Sequence, residues 1–245
     1  MFIGYPKSGH SMIGSMIDAH KNAIISHEFN TLNKIKKSPL HNKQKLFNSI
    51  YQHSKKISSK NKGGNSYLLP TQWNGKIQGD IQIIGDKKGG DTSANLHLGI
   101  NTPSFKKLIK IVSKPVKIIH ITRNPYDIIS SIYRDIKNIP NPVNYFFNNC
   151  NNNKKIIEDI KNDDFIDILE FKNEEFIDDP SKYLSLICNF LELPIYEGYI
   201  EDCCSIVYKT PNKSRLNHKW VEKDINHIQK QIKLYPFLEG YNFNN

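Results

Sequence analysis

MFIGYPKSGHSMIGSMIDAH, residues 1–20, is the stretch from which the fold of this 245-residue chain can be read. Phe2, Ile3 and Tyr5 form a short apolar run ending at Pro6, the pattern of a buried strand. From Ser11 onward Met12, Ile13, Met16, Ile17 and Ala19 recur at helical spacing. Between strand and helix lies Pro6-Lys7-Ser8-Gly9-His10-Ser11, a glycine turn that opens the helix. Such a junction favours an anion, because the first-turn N–H groups lack intrahelical partners and the helix dipole is positive there. Gly4, Gly9 and Ser11 fit the nucleotide-binding pattern GxxxxGK[ST], but His10 fills its lysine slot and the lysine, Lys7, comes three residues earlier. A lysine at the helix entrance wraps terminal phosphates; one inside the loop meets the phosphate chain from the other side.

The length suits one α/β domain with a substantial core, so residues 1–245 are read as a single domain. A hydrophobic content of 38% with 11% aromatics fits a globular enzyme and not a disordered chain. No apolar run is long enough to span a bilayer. With the first strand starting at residue 2, the expectation is that these residues include no basic-then-apolar leader, any targeting segment lying upstream of them. Cys150, Cys188, Cys203 and Cys204 lack metal-ligand spacing and read as reduced structural thiols, which gives a cytoplasmic expectation. The net charge of +10 is concentrated: residues 29–79 hold ten lysines and no acid, while the segments on either side are each neutral.

Further along, Ile24-Ile25-Ser26-His27-Glu28-Phe29 reads as an extended piece leaving the core. Residues 40–57 carry Leu46, Phe47, Ile50 and Tyr51 on a thin apolar stripe, predicting a surface helix, and residues 58–66 read as a flexible loop. Residues 77–85 predict a second core strand, 87–91 a turn and 102–112 a helix opened by Thr102-Pro103. Val116 to Thr122, VKIIHIT, is the clearest strand, followed by a helix over 126–136 with Pro125 in its first turn. Residues 138–153, punctuated by prolines and Asn-Asn runs, read as a loop; 166–171 as a strand; 180–191 and 221–234 as helices. Strands alternating with helices predict an α/β fold with a central parallel sheet and helices on both faces.

The second chemical signal is Arg123-Asn124-Pro125-Tyr126-Asp127-Ile128-Ile129-Ser130-Ser131, placed where a strand gives way to a helix. Open α/β sheets bind ligands at that edge. An arginine at the strand end and a serine two helical turns later can hold one phosphate from two sides.

PKSGxS resembles the 5′-phosphosulfate loop of sulfotransferases that use 3′-phosphoadenosine 5′-phosphosulfate, whose usual form is PK/RSGTT; His10-Ser11 here replaces Thr-Thr. RNPxDxxxS resembles the same family's 3′-phosphate motif. Phe176-Ile177-Asp178-Asp179-Pro180 with Leu191-Glu192-Leu193-Pro194, and residues 215–242 with His218-Lys219-Trp220, extend the similarity over most of the chain. Asn173 departs from it, standing where the family's YEDL stretch has tyrosine.

The resemblance implies a P-loop-like fold, closer to the tyrosylprotein and bacterial type than to the cytosolic small-molecule enzymes, with 3′-phosphoadenosine 5′-phosphosulfate as co-substrate and no metal. It assigns Lys7, Ser8, Gly9, His10 and Ser11 to the phosphosulfate, Arg123 and Ser131 to the 3′-phosphate, and Lys219 to the nucleotide. It also makes Lys7, Glu28 and Lys87 the catalytic candidates: Glu28 as base, with His27 and His97 as rivals, and Lys87 against the sulfuryl oxygens. The acceptor is a hydroxyl on a glycan, lipid, phenol or peptide, and residues 29–79 read as a basic, mobile, acceptor-side segment suited to an anionic glycan or a membrane headgroup. Two other classes stay open. Asp86 could hold Mg²⁺ in a nucleoside or nucleotide kinase, and the lysine-rich segment could bind nucleic acid or a membrane surface, although few aromatics interleave it to stack bases.

Overall fold

The computed structural model describes residues 1–37, 42–59, 77, 79–161 and 163–245. In chain order these form β1 (Phe2–Gly4), α1 (His10–Asp18), β2 (Ala23–His27), α2 (Thr31–Lys37), α3 (Lys43–Ser59), β3 (Ile83–Lys87), α4 (Gly89–Asn95) and α5 (Pro103–Val112). The second half gives β4 (Val116–Thr122), α6 (Pro125–Asp135), α7 (Pro142–Ile160), β5 (Ile166–Lys172), α8 (Asn173–Asp178), α9 (Pro180–Leu191), α10 (Tyr199–Ser205) and α11 (Glu222–Ile232).

Among the described residues every strand pair is parallel. β4 is central to a β1–β4–β5 sheet, with Phe2 opposite Ile119 and Val116 opposite Ile166, and β2 pairs β3 from Ala23–Ile83 to His27–Lys87. The expected sheet is thus present as a triplet and a pair. On β1, the Gly4 N–H donates to the Ser93 hydroxyl at 2.9 Å, so α4 satisfies a backbone group that has no strand partner there.

Alternation along the strands sorts the core. Phe2, Ile119 and Ile121 pack with α1 and α9, while Ile3, Val116 and Ile118 pack with α2, α3 and α5. Both faces are therefore covered, as a parallel sheet requires.

Four expectations change. The piece at 24–29 does not leave the core: Ala23, Ile24 and Ile25 are buried in β2. The strand expected at 77–85 is β3, which starts only at Ile83; Ile81 is 47% exposed. The turn expected at 87–91 is the end of β3 followed by the start of α4. The loop expected at 138–153 is most of α7. Pro142 sits in its first turn and Asn141 caps it, accepting from the Asn144 N–H at 2.9 Å. Val143, Phe146, Phe147, Cys150 and Ile156 bury one face, and that packing outweighs the weak helix propensity of asparagine. Of the loop expected at 58–66, Ser58 and Ser59 end α3 and the remainder lies outside the described residues.

Candidate functional site

Among the described residues, those immediately after all five strands converge on one cleft of about 650 Å³: Tyr5 to Lys7 and Gly9 after β1, Glu28 after β2, Lys88 after β3, Arg123 after β4 and Asn173 after β5. Parallel pairing places these ends at one edge, so the fold itself assembles the site.

The loop after β1 is held by its backbone. Lys7 has φ +66° and Gly9 φ +99°, both left-handed. Gly9 precedes α1, whose first turn has no side-chain cap, leaving N–H groups for an anion. A Cβ on Gly9 would stand 2.2 Å from Asn173 Oδ1, so glycine is required by space as well as by φ. That Oδ1 is buried and has no partner among the described residues.

Ser8 turns inward, its hydroxyl donating to the Tyr5 carbonyl at 3.0 Å, and it does not line the cleft. His10 Nε2 donates to the Ile3 carbonyl at 3.0 Å, and its ring fills the space left by two glycines. A Cβ would come within 2.9 Å of this ring from Gly4 and 2.4 Å from Gly89. Burial, reinforced by Lys87, pushes the His10 pKa down to about 3, so the residue in the lysine slot is neutral. What it can offer an anion is its backbone N–H.

Ser11 stays in the cleft, its hydroxyl accepting from Lys87 Nζ at 3.1 Å. Lys87 is 4% exposed and Glu28 has φ +61°. The Glu28 carboxylate bridges the ammonium groups of Lys87 and Lys88. Burial pushes the Glu28 pKa up, but the two lysines more than offset it and hold the carboxyl below its ordinary range. Burial likewise lowers the Lys87 pKa, with Glu28 opposing. The rival histidines stand outside the lining: His97 is exposed beside the Ala94 carbonyl, and His27 is pushed down to about 4 by burial and by Lys87.

Across the cleft, Arg123 Nη1 donates to the Lys7 carbonyl at 2.8 Å, and Nη2 reaches the Asn212 carbonyl and, at 3.5 Å, Ser214 Oγ. Ser131, on α6, faces the same cleft. The motif's Asp127 points elsewhere: it accepts from the Arg215 backbone N–H at 2.8 Å and pairs with the Arg215 guanidinium, both side chains buried. That anchors the segment bearing Asn212 and Ser214, which in turn hold Arg123.

Lys219 is exposed and lies off the cleft lining. Asp86 is committed to α2, accepting from the N–H groups of Phe29 (3.0 Å) and Thr31 (2.7 Å) and from the Thr31 hydroxyl. Among the described residues, no lysine of 29–79 lines the cleft, and no helix is long and apolar enough to cross a membrane. All four cysteines are unpaired, three of them buried.

Sequence reasoning missed Lys88, Asn212, Ser214 and Arg215. Lys88 did carry a signal, since Lys87-Lys88-Gly89-Gly90 follows a strand and opens a helix. The other three gain meaning only from contacts distant in sequence.

The model of the sulfotransferase domain family matches residues 1–235. No curated protein matches the sequence. Among solved structures, a sulfotransferase domain from the curacin biosynthetic pathway aligns with TM-score 0.52 at 13% identity, covering 96% of each chain. A sulfotransferase from Alicyclobacillus acidocaldarius gives 0.51 at 14%, covering 97% of this chain and 93% of its own. One from Mycobacterium avium gives 0.53 at 10%, covering 100% and 77%.

Proposed function

The chain belongs to the sulfotransferase domain family, and on that premise we propose that it transfers a sulfuryl group from 3′-phosphoadenosine 5′-phosphosulfate to a hydroxyl. The observation carrying this reading is the convergence of Lys7, Ser11, Glu28, Lys87, Arg123 and Ser131 on one cleft. One uncapped helix start and an arginine–serine pair, with a carboxylate and a buried lysine between them, suit a donor bearing charge at both ends.

In this reading Arg123 and Ser131 hold the 3′-phosphate, and the start of α1 holds the phosphosulfate through its backbone N–H groups. Glu28 takes the proton of the acceptor hydroxyl as its oxygen bonds to sulfur. The bond from sulfur to the bridging oxygen breaks, and Lys7 stabilises the charge left on the 5′-phosphate. Lys87 and Ser11 face the sulfuryl oxygens. As in phosphoryl transfer, the protein supplies position and charge more than covalent chemistry. Glu28 can act as base only when Lys87 and Lys88 loosen their hold, and an anionic sulfuryl group beside Lys87 supplies the competing charge. Lys219 and the imidazole of His10 take no part.

The acceptor enters beside Glu28, where Lys88, Asp91 and Tyr145 line the cleft. The lysine excess of 29–79, including Lys34, Lys36 and Lys37 on α2, favours an anionic glycan or headgroup drawn in over about a Debye length.

Transfer of labelled sulfate from the donor to a panel of glycans, lipids, phenols and peptides, run in EDTA, tests the reaction. Transfer without divalent metal, with an acceptor KM that rises steeply with salt, is expected. Phosphoryl transfer from ATP that requires Mg²⁺ would overturn the reading in favour of a kinase.

A further inference from the structure

Ser131 and Asp135 are one helical turn apart on α6 and therefore face the same way. Ser131 lines the cleft, and Asp135 Oδ2 meets Lys7 Nζ at 2.7 Å. The same carboxylate also accepts from Arg134, at 2.8 Å from Nε and 3.1 Å from Nη2. Lys7 is thus held twice: its carbonyl by Arg123 at 2.8 Å and its ammonium by Asp135. The two anchors differ in kind. The first fixes a backbone in the left-handed region, where a non-glycine residue needs support. The second is an ion pair with side chains 38% and 29% exposed, which water and salt screen.

We propose that Asp135 is a positioning residue for Lys7, holding the ammonium in place in the free protein and yielding it to the donor's phosphosulfate on binding. The proposal rests on the sulfuryl-transfer reading. Three features make the hand-over inexpensive. The pair is partly exposed, so little desolvation energy is tied up in it. The lysine stem can rotate while the backbone stays fixed by Arg123. Arg134 remains on Asp135 after Lys7 leaves, so no carboxylate is stranded. Donor binding therefore competes with Asp135, and the affinity of the free protein is lower than the cleft alone would give.

The sign of the effect sets this role apart from a structural one, because loss of a merely structural pair weakens binding. Calorimetry with adenosine 3′,5′-bisphosphate reads it. Asp135→Asn should tighten binding by roughly threefold to fivefold, the range of an exposed ion pair, and Asp135→Glu should restore the wild-type value. Removing a negative charge near an anion site also tightens binding directly, so the substitution is repeated in a Lys7→Ala background. Disappearance of the gain there supports the hand-over. An equal gain in both backgrounds, or weaker binding in Asp135→Asn, overturns it. A second readout needs no nucleotide: acylation of Lys7, followed by peptide mass spectrometry, should rise in Asp135→Asn. Unchanged labelling overturns the hold on Lys7. Increased labelling in a protein that binds no bisphosphate overturns the sulfuryl-transfer reading and the hand-over with it, leaving only the ion pair.

Discussion

Arg123, on one side of the cleft, is fixed by two main-chain carbonyls, those of Lys7 and Asn212, whereas Glu28, on the other, is fixed by lysine side chains. In the proposed reading the loop after β1, the start of α1 and the β4–α6 junction form the nucleotide edge, whose geometry is set by backbone and close approach. The ends of β2 and β3 form the proposed acceptor edge, whose charges neutralise one another. A ligand at the first edge meets backbone N–H groups already aimed at it, with Lys7 leaving Asp135 to join them. Chemistry at the second requires existing pairs to loosen. Substitutions at the nucleotide edge should therefore move affinity, and those at the acceptor edge should move turnover.

The largest expected effect breaks that comparison if it fails. Glu28→Gln keeps the shape and removes the proton acceptor, so turnover should fall by roughly 10²–10⁴ with affinity for adenosine 3′,5′-bisphosphate nearly intact. Steady-state kinetics with a matched titration checks both halves; an active variant alongside an inactive His27→Ala would move the base to the histidine.

Arg123→Ala comes next, and it should act on affinity. A charge-assisted bond left unmade is worth about 1.5–3 kcal/mol, or roughly tenfold to more than a hundredfold, for the bisphosphate. Binding of adenosine 5′-phosphate, which lacks the 3′ group, should weaken far less, by what the loss of the arginine's hold on the Lys7 carbonyl costs. Equal weakening of both ligands would leave the arginine only that bracing role.

Gly9→Ala sharpens the account of the nucleotide edge. The new Cβ would need φ near +99° and would meet Asn173 Oδ1, so thermal unfolding should show a loss of about 1–3 kcal/mol. Unchanged stability would mean that the Asn173 side chain gives way freely.

The smallest effect belongs to the acceptor edge. Lys88 is one of two cations that favour the ionised form of Glu28, so Lys88→Ala should raise the Glu28 pKa. The acid limb of kcat/KM, where activity is lost as Glu28 is protonated, should then move to higher pH by on the order of one unit. An unmoved limb would show that Lys87 alone sets the charge of this carboxylate.

Much of the nucleotide edge was legible in the sequence because strand–turn–helix junctions are local. Lys7, Gly9 and Arg123 follow a strand by a few residues, Ser11 and Ser131 lie on the helix that comes next, and all line the cleft. β4 and α9 coincide with their expected ranges, since an apolar run bounded by Pro115 and an Asp179-Pro180 cap are both local signals. Distant contacts were not legible. Nothing near Lys7 announces Asp135, and the motif aspartate Asp127 shows its work only when Arg215 returns to it. The inward turn of His10 depends on Gly4 and Gly89 both lacking a side chain. α7 was obscured because asparagine content speaks against a helix, while the apolar face that stabilises it needs the packed core to be seen.

The central claim is that the cleft is built for a nucleotide carrying a 3′-phosphate. Calorimetric titration of the wild-type chain in EDTA with adenosine 3′,5′-bisphosphate, adenosine 5′-phosphate and ATP tests it directly. The account predicts that the bisphosphate binds without metal and at least about tenfold more tightly than the 5′-phosphate. Equal affinity for those two, or measurable binding only of ATP and only when Mg²⁺ is restored, would contradict it.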